Sequence, residues 1–482
     1  MGTALVAPLR TVSVTEALSA AGAPWGLPPL CRPAKVRVAE GRGRGMGRTI
    51  LLGLNEINFD YVRRYVERGY LPGFGALLRE HGLIRTRAEE RYEWLEPWIQ
   101  WVTVHTGLPY EGHGVFRLGD IVGRDVPQLF EDLERRGFTV GAISPMNAEN
   151  RLRRTPYFVP DPWTGTPASG PPLVRRLARA VARAVNTNAT GGTGVRTLLE
   201  VLAGLVRFAR PRHYPLYARL IARGLRLHWP RAMLLDRLLF DLHTALYRKH
   251  QPDLSVLFLN AGAHIQHHYF FNSAVGETGR RNPEWYVAPE ADPVLEVYAL
   301  YDRMVSELRA RFPEARLILV TGLQQVPYPE VTFYYRLTDH ADFLRRLGID
   351  GVVAVEPRMS RDFLVRFVDA DAARAGERVL WGVQDDQGRA LFEEVDNRGA
   401  DLFVSLTYPH EVRPGTRVAS ADGRAIPEFS AHVALVAIKN GHHDTTGYLV
   451  DTAERSGEAD AQVIPLASLH DRVMRAVQGG AA

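Results

Sequence analysis

Cysteine is almost absent from this sequence, because Cys31 is the only one among 482 residues. A single cysteine excludes a disulfide framework and a thiolate-rich zinc site. It is also compatible with a reducing compartment, and we therefore expect a cytoplasmic protein.

Long apolar runs are absent as well. No run reaches the length that a bilayer crossing requires, and the N-terminus lacks the compact apolar core of a secretory signal. We therefore expect a soluble protein. Apolar residues still make up 46% of the chain, which is enough for a sizeable core. The length allows one large domain with insertions or two to three domains.

Lysine is also scarce, since only Lys35, Lys249 and Lys439 accompany the many arginines. Such usage is typical of a GC-rich genome. The net charge of +5 is distributed unevenly: residues 171–250 contain fifteen basic and three acidic residues, and residues 1–45 contain six and two. The rest of the chain is therefore acidic. Codon usage explains the choice of arginine but not its concentration in one segment.

Four apolar runs have the length and composition of strands that are buried on both faces: residues 50–54, 138–144, 254–260 and 315–322. Amphipathic helical patterns such as "DVPQLFEDLERRG" lie between them. Alternating strands and helices predict an α/β fold, a three-layer sandwich with a mostly parallel central sheet. Active groups are expected at the carboxyl ends of its strands.

Two segments interrupt this alternation and are predicted to be insertions. Residues 165–250 are helical and basic, and residues 326–435 have a mixed α+β pattern. The first segment has an apolar and a basic stripe at helical spacing: Leu173, Leu177, Val181 and Val185, and Arg175, Arg179 and Arg183. The expected core comprises residues 46–325 and 436–475, preceded by a disordered leader at residues 1–45.

Histidines are concentrated after the third apolar run, in "SVLFLNAGAHIQHHYFFNS". Asn260 is followed there by His264, His267 and His268. One interpretation is a metal site, because imidazole is a common metal ligand. The other is a polar turn whose side chains bond only to the protein, which is the commoner situation for a single histidine.

The first apolar run ends in "GLNEINFD", and a later loop contains "YEWLEPWIQWVTVHTGLPYEGHGVF". The fourth run ends in "VTGLQQVP", and "VAIKNGHHDTTGYLV" lies near the C-terminus. Together with "LPGFGALLREHG", this series resembles the alkaline-phosphatase-like superfamily, particularly its type I phosphodiesterase and phosphoglycerate-mutase-like branches. The resemblance covers about residues 47–160, 252–327 and 436–450. Its most specific parts are the "TG…HG" segment and the order of the elements.

The resemblance implies two divalent metals with a Thr or Ser nucleophile between them, but several of the expected residues are replaced. The aspartate that ends the first strand corresponds to Asn55. The nucleophile position falls near Pro97, next to Glu96, and neither residue has a hydroxyl group. The late Asp-His pair corresponds to Gly322 and Leu323. One of the two metal sites is therefore expected to be lost.

The second of the two metal sites implied by the resemblance keeps some of its expected ligands. Alignment places Ala263 at its aspartate and His267 at its first histidine, and the final histidine is His443. We expect one divalent metal there, zinc or manganese, bound by these two histidines. Such an ion acts as a Lewis acid or lowers the pKa of a water molecule. The third ligand is predicted among His264, His268, Asp444 and Glu56. The alternative is an inherited cleft that binds no metal.

The remaining candidates follow from their proximity to these segments. The predicted catalytic residues are Glu96, Asn55 and Glu56. The predicted substrate-binding residues are Trp98, Gln100, Asn260 and His113. Glu96 is interpreted as a general base or nucleophile, and Trp98 with Trp101 as a stacking wall for a sugar. In the alternative interpretation the tryptophans belong to the core and Glu96 caps a helix.

Three functions are compatible with these features. The first is a metal-dependent hydrolase or transferase acting on a phosphate or sulfate ester of a small molecule, glycan or lipid. The second is an inactive member of the superfamily that binds an anionic glycan, lipid or protein, and the third is a glycan-modifying transferase. The basic segment predicts contact with an anionic membrane surface, or else is a solvated helical face. Nucleic acid is not expected, because no nucleic-acid-binding module is recognised and few aromatics alternate with the arginines.

Overall fold

The structure is a computed structural model that describes residues 48–187, 195–277, 279–358, 361–457 and 462–479. The leader predicted at residues 1–45 lies outside the described residues.

The strands of the described residues alternate with helices in the first half of the chain and cluster together later. In chain order the strands are β1 (Thr49–Leu54), β2 (Ile84–Arg87), β3 (Val140–Ile143), β4 (Phe158–Val159), β5 (Leu254–Leu259), β6 (Arg316–Val320), β7 (Gln324–Leu337), β8 (Val352–Pro357), β9 (Asp362–Phe367), β10 (Gln384–Asp385), β11 (Glu394–Asn397), β12 (Asp401–Ser405), β13 (Val418–Ala419), β14 (Ala425–Ile426), β15 (Val433–Asp444), β16 (Thr446–Asp451) and β17 (Val463–Pro465).

The α-helices of the described residues are α1 (Phe59–Glu67), α2 (Pro72–His81), α3 (Pro97–Thr106), α4 (Tyr110–His113), α5 (Leu129–Arg135), α6 (Pro172–Thr187), α7 (Val195–Phe208), α8 (Tyr214–Gly224), α9 (Trp229–His250), α10 (Ala261–Tyr269), α11 (Pro293–Arg311), α12 (His340–Arg346), α13 (Ala370–Trp381) and α14 (Ser468–Gln478). Short 3₁₀ turns occur at Tyr92–Trp94, Pro211–His213, Phe270–Asn272 and Phe429–His432.

The central sheet has eight strands in the order β17-β2-β16-β6-β1-β5-β3-β4. Strands β6, β1, β5, β3 and β4 run parallel to one another, whereas β16 is antiparallel to both of its neighbours. The four apolar runs form β1, β3, β5 and β6, so the predicted mostly parallel sheet is confirmed. Since parallel strands end at the same edge, the segments after β1, β5 and β6 are neighbours.

Helices cover both faces of this sheet. On β1, Leu52 and Leu54 pack into one apolar cluster and Leu51 into another, because successive side chains of a strand point to opposite faces. The first cluster includes residues of α1, α2, α9 and α11, and the second includes residues of α3, α5 and α14. The predicted three-layer α/β arrangement is therefore confirmed.

A smaller, largely antiparallel region lies between β7 and β15, within the segment predicted as an α+β insertion. It contains a four-stranded sheet, β11-β12-β9-β8, a three-stranded sheet, β10-β13-β14, and an apolar cluster of its own. Strands β7 and β15 form a two-stranded antiparallel ribbon. This ribbon begins four residues after β6 and ends two residues before β16, so it extends from the central sheet.

Helices α6 to α9 belong to the segment predicted as a basic insertion. Their attachment includes a buried ion cluster in which Arg237 Nη2 of α9 lies 2.6 Å from Asp241 Oδ1 and 3.2 Å from Glu307 Oε2 of α11. On α6, Leu177 and Val181 pack into the core. No helix in the described part of the chain is both long and apolar enough to cross a membrane.

Candidate metal centre at the carboxyl edge of the sheet

The turn after β1 has an unusual backbone at Glu56, whose φ of 59° lies in the left-handed region. Such a conformation costs a non-glycine residue roughly 1–3 kcal/mol and is found where surrounding contacts enforce it. Here the Glu56 N–H donates to Thr321 O at 3.0 Å, and Gln266 Nε2 donates to Glu56 O at 2.7 Å. The turn is thus fixed by the end of β6 and by α10.

The Glu56 side chain lies between two histidines from distant parts of the chain. Its Oε2 atom is 3.3 Å from His267 Nε2 on α10 and 3.2 Å from His443 Nε2 on β15. Each of these three residues offers one ligand atom, and the three atoms lie within 4.8 Å of one another. We call Glu56, His267 and His443 the metal group, as candidate ligands of one ion. Among the described residues, His264 and Asp444 do not belong to this group.

These distances fit one metal ion. In a tetrahedral zinc site with bonds of about 2.0–2.1 Å, neighbouring ligand atoms are about 3.3 Å apart. A direct charge-assisted hydrogen bond is shorter, about 2.7–2.9 Å. His443 Nε2 is buried and forms no well-aligned hydrogen bond within the described chain. His267 Nδ1 donates to Gly441 O at 3.2 Å, which leaves its Nε2 lone pair for a metal.

The local charges favour an ionised ligand. Burial opposes ionisation of Glu56, but His443 and His267 outweigh it and hold the pKa of the carboxyl well below its usual range. Burial likewise disfavours a charged His443, but Glu56 and Glu96 raise its pKa. The carboxylate is therefore available at neutral pH, and metal binding at His443 competes with a proton.

Two amides support the carboxylate. Asn55 Nδ2 donates to Glu56 Oε1 at 2.8 Å and also to Asn260 Oδ1 at 2.8 Å. Gln325 Nε2 donates to Glu56 Oε2 at 2.5 Å. Asn55 and Asn260 are thus linked to the metal group through hydrogen bonds. Gln325 is not among the residues predicted from the sequence, although the polar pair after β6 in "GLQQVP" is a usable signal.

The other side of Asn55 is closed by Trp101. The indole is buried, donates from Nε1 to Asn55 Oδ1 at 2.7 Å, and packs edge-on against Phe258. A Cβ atom added at Gly322 would lie 3.1 Å from Trp101 Nε1. By the resemblance, Asn55 and Gly322 are the places of carboxylate ligands for a second metal. The residues present do not fit that ion, because the indole occupies the space between them.

Glu96 lies beside the metal group at the start of α3. It occupies the N-cap position, but its side chain makes no capping hydrogen bond. Its Oε2 atom is 3.6 Å from His443 Nδ1. Burial raises the pKa of Glu96, with His443 acting in the opposite direction. A carboxyl group of raised pKa next to the metal ligands has the properties of a general base.

Three predicted substrate-binding residues make hydrogen bonds or close contacts within the protein. Trp98 Nε1 donates to Phe116 O, and the fully buried Gln100 donates to Trp94 O. His113 is buried, lies 3.3 Å from Thr103 Oγ1, and has a pKa lowered to about 4 by burial. In this structure these contacts organise α3 and the loops around it.

The two remaining metal candidates lie nearby. The ring of His264 packs against that of His268, with centroids 4.8 Å apart. Asp444 accepts hydrogen bonds from Gln324 Nε2 at 3.0 Å and from Thr446 N at 2.9 Å, and so closes the turn between β15 and β16. The structure therefore brings together Asn55, Glu56, Glu96, Asn260, His267 and His443.

No protein-family model matches the chain, and no curated protein matches it. Among solved structures, phosphonoacetate hydrolase from Sinorhizobium meliloti 1021 in complex with phosphonoformate is similar over 91% of this chain and 96% of that chain, with 12% identity and a TM-score of 0.40. Human ectonucleotide pyrophosphatase/phosphodiesterase 5 is similar over 90% and 96%, with 10% identity and a TM-score of 0.37.

Proposed function

We propose that this protein is a divergent alkaline-phosphatase-like enzyme that hydrolyses or transfers a phosphate or sulfate ester with a single divalent metal. The observation that carries the proposal is the Glu56–His267–His443 group, in which two imidazole nitrogens lie 3.2 and 3.3 Å from one carboxylate oxygen. Imidazole and carboxylate ligands suit zinc or manganese. When bound, the ion supplies Lewis-acid polarisation of an ester oxygen.

The protein's own groups have distinct roles in this proposal. Glu96 takes the proton of the attacking group, because its carboxyl is next to His443 and has a raised pKa. The segment Glu96–Pro97 has no side-chain hydroxyl, so the attacking group comes from water or from an acceptor substrate. Asn55 and Gln325 are positioning residues that orient the Glu56 carboxylate.

The proposed substrate is a phosphorylated or sulfated small molecule or glycan, and lipid-linked esters belong to the same class. Turnover of p-nitrophenyl phosphate should be weak or absent, because the hydroxyl nucleophile and the ligands of a second ion are missing. Rapid turnover that survives Glu96→Gln would contradict the assignment of the catalytic centre.

The direct test is the metal content of protein purified without chelators. We expect about one equivalent of zinc or manganese by elemental analysis, and a melting temperature that rises with the logarithm of added metal. His267→Ala and His443→Ala should each abolish stoichiometric binding. His442→Ala is the matched control, because this neighbouring ring lies 5.5 Å from Tyr328 and its atoms are outside the ligand group.

Absence of bound metal and of any thermal shift would overturn the enzyme proposal. The alternative function would then be an inactive relative that binds an anionic glycan, lipid or protein partner through the same cleft.

We further propose that the basic segment, residues 171–250, holds the protein at an anionic membrane surface in the cytoplasm. On α7 the side chains of Leu199 and Val206 are 60% and 69% exposed, and a spacing of seven residues places them on one side of the helix. Arg196 and Arg207 of the same helix are exposed. Each arginine near such a surface contributes roughly 1 kcal/mol. The apolar stripe of α6, in contrast, packs into the core.

Sedimentation with anionic and neutral liposomes, at low and moderate salt, tests this surface. We expect salt-sensitive binding to anionic vesicles that is lost in a Leu199→Ser/Val206→Ser variant and weakened by Arg175→Gln and Arg179→Gln. Arg183→Gln should have a smaller effect, because Arg183 is paired with Glu200. Equal partitioning onto both lipids, or none, would leave these helices as a solvated face.

A further inference from the structure

The ribbon of β7 and β15 runs along the chain from the metal group. Lys439 precedes His443 by four residues on β15, so their Cα atoms are at most about 14 Å apart. Tyr334 of β7 pairs with Ala437, which is two residues before Lys439. Directly paired residues share a face, and no register shift separates Ala437 from Lys439. Tyr334 and Lys439 therefore lie on one side of the ribbon.

Two cationic side chains pack against the ring of Tyr334. Arg361 Cζ is 4.4 Å from the ring centroid, and Lys439 Nζ is 4.8 Å from it. Arg361 immediately precedes β9, so the smaller antiparallel region contributes one of the two cations. Cations placed over an aromatic face are held there by the ring quadrupole.

These two charges are poorly neutralised. Within the described chain, Lys439 has no carboxylate oxygen within 4.0 Å, and the nearest acid to Arg361 is Glu394 at 3.8 Å. The Arg361 side chain is only 19% exposed, whereas that of Glu394 is 62% exposed. Cations that are partly removed from water without a close partner are unfavourable. An anion placed between them would offset this cost.

Lys439 and the proposed general base act on one another electrostatically. Burial and the charge of Arg361 lower the pKa of Lys439, while Glu96 and Glu56 act in the opposite direction. Conversely, Lys439 is among the groups that counteract the raised pKa of Glu96. Lys439, one of the two cations on Tyr334, therefore lies a short way along β15 from His443 and acts on the charges of Glu56 and Glu96.

We propose that Arg361 and Lys439, held against Tyr334, bind a second anionic group of the substrate. The substrate then carries a carboxylate, phosphate or sulfate in addition to the ester group at Glu56, His267 and His443. This inference rests on the proposed function for the position of the ester. It narrows the substrate class to esters of molecules that are themselves acidic.

Two non-hydrolysable probes that differ by one carboxylate test the inference: phenylphosphonate and 4-carboxyphenylphosphonate. With the metal-loaded full-length protein, calorimetry should show at least about tenfold tighter binding of the carboxylated probe, since charge-assisted bonds are the strong ones. Arg361→Gln and Lys439→Gln should each reduce the ratio of the two affinities towards one, by weakening the carboxylated probe much more than phenylphosphonate. Lys439→Arg should retain most of the ratio.

Arg398→Gln provides the matched control, because Arg398 is also stacked on a ring, that of Phe403, in the same antiparallel region. Its ratio should equal that of the wild type. Equal binding of both probes by the wild type, or an unchanged ratio in the Arg361 and Lys439 variants, would overturn the second anion subsite. Preference for the carboxylated probe in a protein that binds no metal would overturn only the proposed function, so the two failures are distinguishable.

Discussion

The two sides of Asn55 differ although both lie at the carboxyl edge of the same sheet. On one side are Glu56 and two histidines, whose ligand atoms converge within 4.8 Å. On the other side is the indole of Trp101, packed against the place where β6 ends. We call these the histidine side and the indole side. One holds three candidate ligand atoms for an ion, and the other is filled by an aromatic ring.

The amide of Asn55 connects the two sides. Its oxygen accepts from Trp101 and its nitrogen donates to Glu56 and Asn260. An ionised aspartate could accept from the indole but could not donate to a neighbouring carboxylate. An asparagine at this position is therefore physically consistent both with the filled indole side and with an ionised Glu56 on the histidine side.

The largest effect is expected from opening the indole side. Trp101→Ala removes a large buried ring and should lower the free energy of unfolding by about 3–5 kcal/mol. Trp101→Phe keeps most of the packing but leaves Asn55 Oδ1 without its donor, and should lower it by about 1–3 kcal/mol. Denaturant unfolding measures both changes.

The number of metal ions bound by Trp101→Ala shows whether the indole side keeps a metal site once the ring is removed. We expect Trp101→Ala to bind no more than one equivalent of zinc, because Gly322 and Leu323 provide no ligand side chain. A second equivalent in this variant would show that the indole side retains a metal site.

A pair of glycine substitutions compares the two sides without altering a ligand. A Cβ atom at Gly441 would lie 2.3 Å from Gln325 Oε1 and 3.1 Å from Phe270 Cδ2, so Gly441→Ala should displace β15 from α10 and separate His443 from His267. We expect metal affinity to fall by about tenfold or more, as it does when residues that orient metal ligands are substituted. Titration calorimetry with zinc measures the change.

Gly322→Ala is the counterpart on the indole side. Gly322 has a φ of 76°, so alanine should cost about 1–3 kcal/mol in stability through backbone strain. Its metal affinity should remain within about twofold of the wild type. Similar losses of affinity in both variants would mean that the two sides do not behave independently.

The fold was largely predictable from the sequence, because β1, β3, β5 and β6 are continuous apolar runs that only a doubly covered sheet accommodates. Only the resemblance led to the expectation that His267 and His443 converge, because His443 lies on β15, which is not a strand of the central sheet. The choice of Glu56 among four candidate third ligands was not predictable, because it depends on a left-handed turn held by Thr321 and Gln266.

The cluster of Tyr334, Arg361 and Lys439 could not be predicted from the sequence either. Pairing of β7 with β15 brings Tyr334 next to Lys439, and Arg361 comes from the segment before β9. Such long-range pairing is not encoded in local periodicity. One signal was present, since Lys439 is one of three lysines in a chain that otherwise uses arginine.

The smallest expected effect is a pH dependence that only the histidine side should show, measured on chelator-treated protein by urea unfolding. The pKa of His443 is raised from its ordinary value of 6.5, so its contribution to stability is complete below pH 6.5 and is lost as the pH rises through the folded-state pKa. The pKa of Glu56 is lowered from 4.5, so its contribution is complete above pH 4.5 and is lost as the pH falls. The stability difference between wild type and Glu56→Gln should therefore be largest between pH 4.5 and 6.5 and narrow on either side.

The difference between wild type and Trp101→Phe should be constant over the same range, because neither an indole nor an amide titrates there. A flat profile for Glu56→Gln would mean that the carboxylate and the imidazoles do not interact as charges in the metal-free protein.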